Sequence, residues 1–265
     1  NDEAEQYLCA AILRPGNAPA TRGARGTLIR LIDLLRRAFP NARFLVRLDG
    51  GFATPAILDR LDAEPRLDYV VAMAENAVLT RRAEAAMVEA RTQSEASGQT
   101  AHVYTETRYA ARTWPHERRL VIKAEVVRLA GREPRDNQRF VITNLRQTPR
   151  FLYARVYCAR GDVENRIKEL HDGMHIGRTS CGRFWANQLR VLLTAAAYVL
   201  MQELRRRAAR TACARAQVTT LRERLLKLGV QVVVSVRRIV LHLPTATPFL
   251  DDWRRIAFAF GARSG

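Results

Sequence analysis

The sequence predicts an α/β fold with an antiparallel β insertion and a helical C-terminal part. Short apolar runs alternate with helix-period segments through residue 97, and period-two alternation takes over from there to about residue 147. Helical periodicity then returns from Pro149 onward. The expected division is a first part of the core over residues 1–97 and a β insertion over 98–147. A helical second part follows over 148–210, with a C-terminal tail region over 211–265.

Glu5 to Leu13 reads as a strand, broken by Arg14-Pro15-Gly16-Asn17. Thr27 to Phe39 then takes up helical periodicity at Leu28, Leu31, Leu34 and Leu35. Phe44 to Leu48 is a short apolar strand. Beyond Asp49-Gly50-Gly51, Thr54 is a natural N-cap with Pro55 at the first helical position, which starts a helix through Leu61. Asp68 to Met73 reads as the next buried strand, so this part predicts a largely parallel sheet with helical crossovers.

A helix over Val78 to Ala96 stops at Ser97-Gly98. Ala101 to Tyr109, Arg119 to Leu129 and Gln138 to Thr143 read as antiparallel strands, with Gly131 to Asn137 as a connecting turn. Phe184 to Ala208 reads as a helix whose stretch Val191 to Met201 is buried. The tail holds Leu221 to Leu228, a Val-rich run from Val230 to Leu243, and a short helix over Pro248 to Phe260.

A hydrophobic content of 48% is that of a globular chain, but the net charge of +18 and pI near 11.0 are not ordinary. All but three of the 44 basic residues are Arg, the Lys being 123, 168 and 227, a bias that GC-rich codons produce as readily as selection for binding. The excess still points to a polyanionic partner, nucleic acid ahead of an anionic membrane surface, with salt-sensitive binding. The cysteines at 9, 158, 181 and 213 have neither CxxC nor zinc spacing, which suits a reduced cytoplasm. No signal peptide is visible, and no apolar run is long enough to span a bilayer. No Ser-His-Asp elbow, Walker loop or GxGxxG follows a strand, which argues against hydrolase, NTPase and dinucleotide chemistry.

Two stretches carry candidate chemistry. Around a helix, Tyr157, Arg160, Glu164, Lys168 and His171 share one polar face within about a quarter turn, beside an apolar stripe of Val156, Ala159, Val163, Ile167 and Leu170. A carboxylate between bases and a phenol suits cation and phosphate binding; ion pairs at four-residue spacing on a solvated face are the plainer alternative. Asp49 closes a buried strand, where open α/β sheets place ligands, and Gly50-Gly51 after it allow a sharp turn and keep side chains clear. A strand-ending turn without chemistry is the alternative there. Trp114, amid Arg108, Arg112, Arg118 and Arg119, could stack a splayed base or simply be a structural aromatic. Arg166 and Arg178 are plausible phosphate ligands, while His102 and His175 have no metal spacing.

Tyr157, Arg160 and Glu164, followed six residues on by a base, resemble the Tyr-Arg-Glu-Lys signature of bacterial insertion-sequence DDE transposases, with His171 at the family's Lys. Arg47 to Phe52 is similar to the segment carrying the family's second catalytic Asp, and Ala10 to Asn17 to the segment before it. Arg178 to Cys181 and Ala186 to Gln188 are similar as well, so the resemblance covers roughly Ala10 to Arg207, and more loosely the tail through Pro244.

The resemblance implies a ribonuclease H-like catalytic core, with Asp49 and Glu164 as catalytic Mg²⁺ ligands of a two-metal site. Tyr157, Arg160, Lys168, His171, Arg166, Arg178 and Trp114 become candidate DNA contacts. It implies hydrolysis and strand transfer at the ends of a mobile element, with element-end and target DNA as partners, a homodimer on paired ends, and a cytoplasmic, nucleoid-associated setting. No membrane or small-molecule substrate enters. The family's first catalytic Asp lies upstream of the segment matched by Ala10 to Asn17, and Asp2, Glu3 and Glu5 sit too close to that segment to replace it. An N-terminally truncated copy or excised domain, with little or no cleavage of its own, is therefore expected. The alternative is a catalytically dead remnant that only binds DNA.

Overall fold

The computed structural model describes residues 6–19 and 21–262. Two compact units divide the chain: Gly16–Gly161 forms one, and Asn1–Pro15 with Asp162–Gly265 forms the other.

In the Gly16–Gly161 unit, α1 (Ala24–Ala38), β1 (Phe44–Leu48), α2 (Pro55–Ala63), β2 (Leu67–Met73) and α3 (Ala77–Ser97) follow in order. The helix stop read at Ser97-Gly98 and the Pro55 start hold, and an Asn cap not read from the sequence joins them. Asn76 caps α3, its side chain accepting from the Val78 and Leu79 amides at 3.0 and 3.1 Å. Gly98, at φ 68°, ends that helix in the left-handed conformation that a side chain would resist. Pro55 opens α2 with Thr54 at the cap, although the Thr54 hydroxyl makes no capping bond.

β3 (Ala101–Tyr109), β4 (Arg118–Val127) and β5 (Arg135–Thr143) complete a single five-stranded sheet of order β1-β2-β5-β4-β3. β1 and β2 are parallel, whereas β2–β5, β5–β4 and β4–β3 are antiparallel, so the sheet is mixed where a largely parallel one was expected. Residues expected as a separate β insertion thus belong to the main sheet. The reason lies in β5: Phe140, Val141 and Ile142 are as apolar as β2, and its two registers run against Val70–Met73 on one side and Arg119–Val127 on the other. Arg135 to Asn137, expected in the turn, already pair with Val127 to Glu125.

Alternation along the strands buries both sheet faces. Tyr69, Val71, Leu120, Ile122, Phe140 and Ile142 share a core with Leu58 and Leu61 of α2 and Leu79, Ala83 and Met87 of α3. Val70, Val121 and Val141 point the other way, onto Leu152 and Tyr153. That second face is covered by α4 (Pro149–Phe151), which continues as a wide π-type turn (Leu152–Tyr157) and a tight turn (Cys158–Arg160).

The helical part of the other unit opens with α5 (Gly161–Lys168, from Asp162), followed by a second π-type turn (Glu169–Gly173). α6 (Phe184–Arg207), α7 (Val218–Leu221), β6 (Gln231–Val234), β7 (Ile239–His242) and α8 (Leu250–Ala259) complete it. Tyr198 and Met201 of α6 pack with Leu170, Val218, Leu221 and Ile256. The expectation of a buried Val191–Met201 is half met: Val191, Tyr198 and Met201 are buried, while Leu192, Leu193 and Leu200 face solvent. The expected stripe on α5 is likewise open, with Val163 and Ile167 about half exposed.

The strand expected over Glu5 to Leu13 is absent from the described part, and Glu5 lies outside the described residues. The Leu8 and Leu13 amides donate to the side-chain oxygens of Gln202 and Gln188 at 3.0 and 2.9 Å. Those glutamines are fourteen positions apart on α6, about 21 Å at helical rise, so a five-residue span of at most about 18 Å has to be nearly extended, with the glutamine side chains reaching across the remainder. The segment is strand-like in shape but spends these amides on glutamine side chains instead of a neighbouring strand.

Candidate active site

Asp49 follows β1 at its carboxyl end and caps the tight turn Gly50–Phe52, its Oδ1 accepting from the Gly50 amide at 2.7 Å. The side chain is 61% exposed, and its Oδ2 stands 4.0 Å from Arg160 Nη1. Neither Gly50 nor Gly51 takes a positive φ, so the turn does not need glycine for its dihedrals. A small side chain would also be accommodated at either position. A Cβ at Gly50 would sit 3.5 Å from the Ala74 amide, and one at Gly51 would meet nothing within 4 Å.

A cleft of about 220 Å³ opens beside Asp49, lined also by Gly50, Glu75, Arg139, Tyr153 and Tyr157. The Tyr153 and Tyr157 rings lie 5.4 Å apart, and the Arg160 guanidinium stands 5.9 Å from the Tyr157 ring centroid. Burial pushes the Tyr153 phenol well above its ordinary range, so it stays protonated. Asp49 and Tyr157, more than a hundred residues apart in the chain, therefore line one cleft, and Arg160 stands 4.0 Å from the acid.

Glu75 and Arg139 escaped the sequence reading. Glu75 lies two residues past β2, the parallel neighbour of β1, so two adjacent strands each deliver an acid to the same sheet end. That position was the available signal. Glu75 Oε1 accepts from Gln138 Nε2 at 2.7 Å and from Thr80 Oγ1 at 3.2 Å.

Glu164, Lys168, His171, Arg166 and Arg178 fall in the other unit. Glu164 and Lys168 are exposed on α5, which buries none of its residues. His171 is exposed within the wide turn, its ring against Gly177, where an added Cβ would lie 3.5 Å from Nδ1. Arg166 is committed inward, donating through Nη1 to Glu169 at 2.8 Å, which removes it from the free phosphate ligands. Arg178 is exposed and lines an apolar cleft of about 500 Å³ with His175, Arg190 and Leu200.

Glu169 is the buried acid of this region. It accepts from Tyr198 at 2.7 Å, Arg166 at 2.8 Å, Arg205 at 2.6 Å and the Val218 amide at 3.1 Å. Burial, then the bond to Glu169, push the Tyr198 phenol up to about 12. With every acceptor site engaged by the protein, Glu169 has no capacity left for a cation.

Trp114 is not placed to stack a base. It is 9% exposed and belongs to the sheet core, edge-on to Tyr109 at 5.4 Å with Arg118 5.0 Å over its ring. The arginines around it are largely spoken for: Arg118 binds Asp59 at 2.5 Å and Asp62 at 2.7 Å, Arg119 pairs with Glu106, and Arg108 donates to the Glu117 carbonyl at 3.1 Å.

The Asp49 carboxylate suits a hard divalent cation, being exposed at a strand end with one oxygen bonded only to a backbone amide. Among the described residues no group of three or more His, Cys, Asp or Glu side chains could hold a metal ion. The four cysteines are free thiols, and no helix among the described residues is long and apolar enough to cross a membrane.

A comparison with curated proteins found no match. The family description "Transposase DDE domain group 1" matches residues 2–259, nearly the whole chain, and includes both the strand end bearing Asp49 and the helical segment bearing Tyr157, Arg160 and Glu164. The chain belongs to this family of transposase DDE domains.

Proposed function

We propose that the chain is the catalytic portion of an insertion-sequence transposase, built on a ribonuclease H-like core, which binds the ends of its element and target DNA. Asp49 and Glu164 are the two metal-ligating acids of this reading. The parallel β1–β2 pair joined by α2, with the acid at the carboxyl end of β1, supports the core assignment. The observation that carries the site is that Tyr157 of the family signature lines the cleft with Asp49, while Arg160 of the same signature stands 4.0 Å from that acid.

Bound Mg²⁺ would activate water or a 3′ hydroxyl and stabilise the departing oxygen. The chain's residues do the positioning. Arg160 offers a guanidinium for a phosphate oxygen next to the acid, Arg139 adds a second cation in the cleft, and the Tyr157 ring walls it. Lys168 and His171 supply further phosphate contacts. The setting is the bacterial cytoplasm, with two copies acting on paired ends.

Asp49 and Glu164 are one fewer than the three acids the family's two-metal chemistry uses, so these residues fit part of a metal site. This supports a second reading in which the 265 residues grip DNA without cutting it. The expected result in a Mg²⁺-dependent assay on element-end DNA is salt-sensitive binding, with cleavage about 10³-fold or more below that of a three-acid enzyme. Glu164→Gln should remove whatever cleavage remains while leaving binding in place. Cleavage that survives this change rejects the site.

A further inference from the structure

Strands β6 and β7 form a two-stranded arm paired from Gln231↔His242 to Val234↔Ile239 and, among the described residues, joined to no other strand. Side chains directly opposite in such a pair share a face, so Val232, Val234, Ile239 and Leu241 make up one side of the arm. All four are exposed, Val234 at 71% and Ile239 at 68%, and Val236 at the tip is fully exposed. None belongs to a hydrophobic core cluster. On the reverse side Val233 is 43% exposed, Val240 is half-buried and Gln231 and His242 are exposed, so the first face alone is wholly apolar. An isolated hairpin is marginal in water, and an antiparallel sheet with one wholly apolar face belongs on a packed surface.

We propose that this face packs against the same face of a second copy, making the β6–β7 arm a dimerisation element. Three features favour a second copy over DNA or another protein. The face carries no polar or charged side chain, whereas phosphates are held by cationic and hydrogen-bonding groups. Its Val, Ile and Leu composition is self-complementary, as a two-fold interface requires. The four face residues together with Val236 at the tip, leaving roughly 100 Å² each, would bury on the order of 1,000 Å² between two arms, about the minimum for a specific interface. Charge then selects the orientation. Arg237 and Arg238 crown the tip of a chain of net charge +18, so antiparallel arms, which keep the two tips at opposite ends, avoid stacking four guanidiniums together. The inference names a surface for the paired-copy arrangement proposed above, and it is read out without DNA or metal, so it can fail while the catalytic reading stands.

Sedimentation of the whole chain over a micromolar concentration series tests it. Wild type is expected to dimerise, and Val234→Lys with Ile239→Lys is expected to weaken the dimer at least about 100-fold by placing charge in the apolar face. The circular dichroism spectrum and Tm should stay unchanged, because both positions are already exposed. Val232→Lys with Leu241→Lys is the independent second variant, and Arg237→Ala with Arg238→Ala should leave the dimer intact. A monomeric wild type, or a dimer that survives both lysine pairs, overturns the proposal. So does an arm variant that lowers DNA affinity and leaves self-association untouched, since that assigns the arm to DNA.

Discussion

Glu169→Ala is expected to lower the unfolding free energy by about 3–5 kcal/mol, the range for breaking a buried charge network by removing one partner. The substitution strands the Arg166 and Arg205 guanidiniums and the Tyr198 hydroxyl, all of which donate to this carboxylate, together with the Val218 amide. Guanidinium denaturation followed by far-ultraviolet circular dichroism reads the change. A loss below about 1 kcal/mol would contradict a central role for this network. The result matters for function because Glu169 lies five residues from Glu164 in a region where any acid invites a catalytic label. Glu164, exposed on α5, should tolerate Gln with little change in stability. Loss of DNA cutting in a Glu169 variant would thus be loss of fold, whereas loss in Glu164→Gln would be loss of chemistry.

Trp114→Ala is expected to cost about 3–5 kcal/mol as well, as emptying a large aromatic site in a core does. The ring is buried against Tyr109 and beneath Arg118, which is itself held by Asp59 and Asp62. DNA affinity of the folded fraction should remain within a factor of two or three of wild type. Melting temperature and salt-titrated DNA binding on the same samples separate the effects: a stable variant with much weaker binding would restore the stacking role.

Local signals were the legible part of this sequence. α3 ends at its Gly, as read, and β3 spans Ala101–Tyr109 as its alternation requires. These features are set by neighbours a few residues away, which a sequence displays directly. Pairing partners are not displayed. The antiparallel strands were recognisable, but their continuity with β2 depends on β5 finding Val70–Met73 some seventy residues away. The same limit explains the N-terminal segment, strand-like in composition yet bonded to Gln188 and Gln202.

The site was partly legible for similar reasons. Asp49 and the Tyr157–Arg160 pair stood out by strand-end position and by motif, and the fold lines one cleft with Asp49 and Tyr157 and sets Arg160 beside that acid. Glu75 carries no motif and becomes visible only once β1 and β2 are known to lie side by side. A uniform 100° helical step from Tyr157 to His171 also misleads, because only Gly161–Lys168 is regular α-helix and the turns on either side are tighter or wider. Trp114 and Arg166 looked available because a sequence lists charges without showing which are already paired.

The claim on which the functional reading rests is that Asp49 and Glu164 serve one cation. Replacing Mg²⁺ by Fe²⁺ and generating hydroxyl radicals at the bound iron cuts the polypeptide only within reach of the metal, so the protein itself records which residues lie there. Scission is predicted near both Asp49 and Glu164 in the same titration, suppressed by excess Mg²⁺ and lost at both places in Asp49→Asn. Cuts confined to one of the two segments, or cuts near Glu164 that persist in Asp49→Asn, would contradict it.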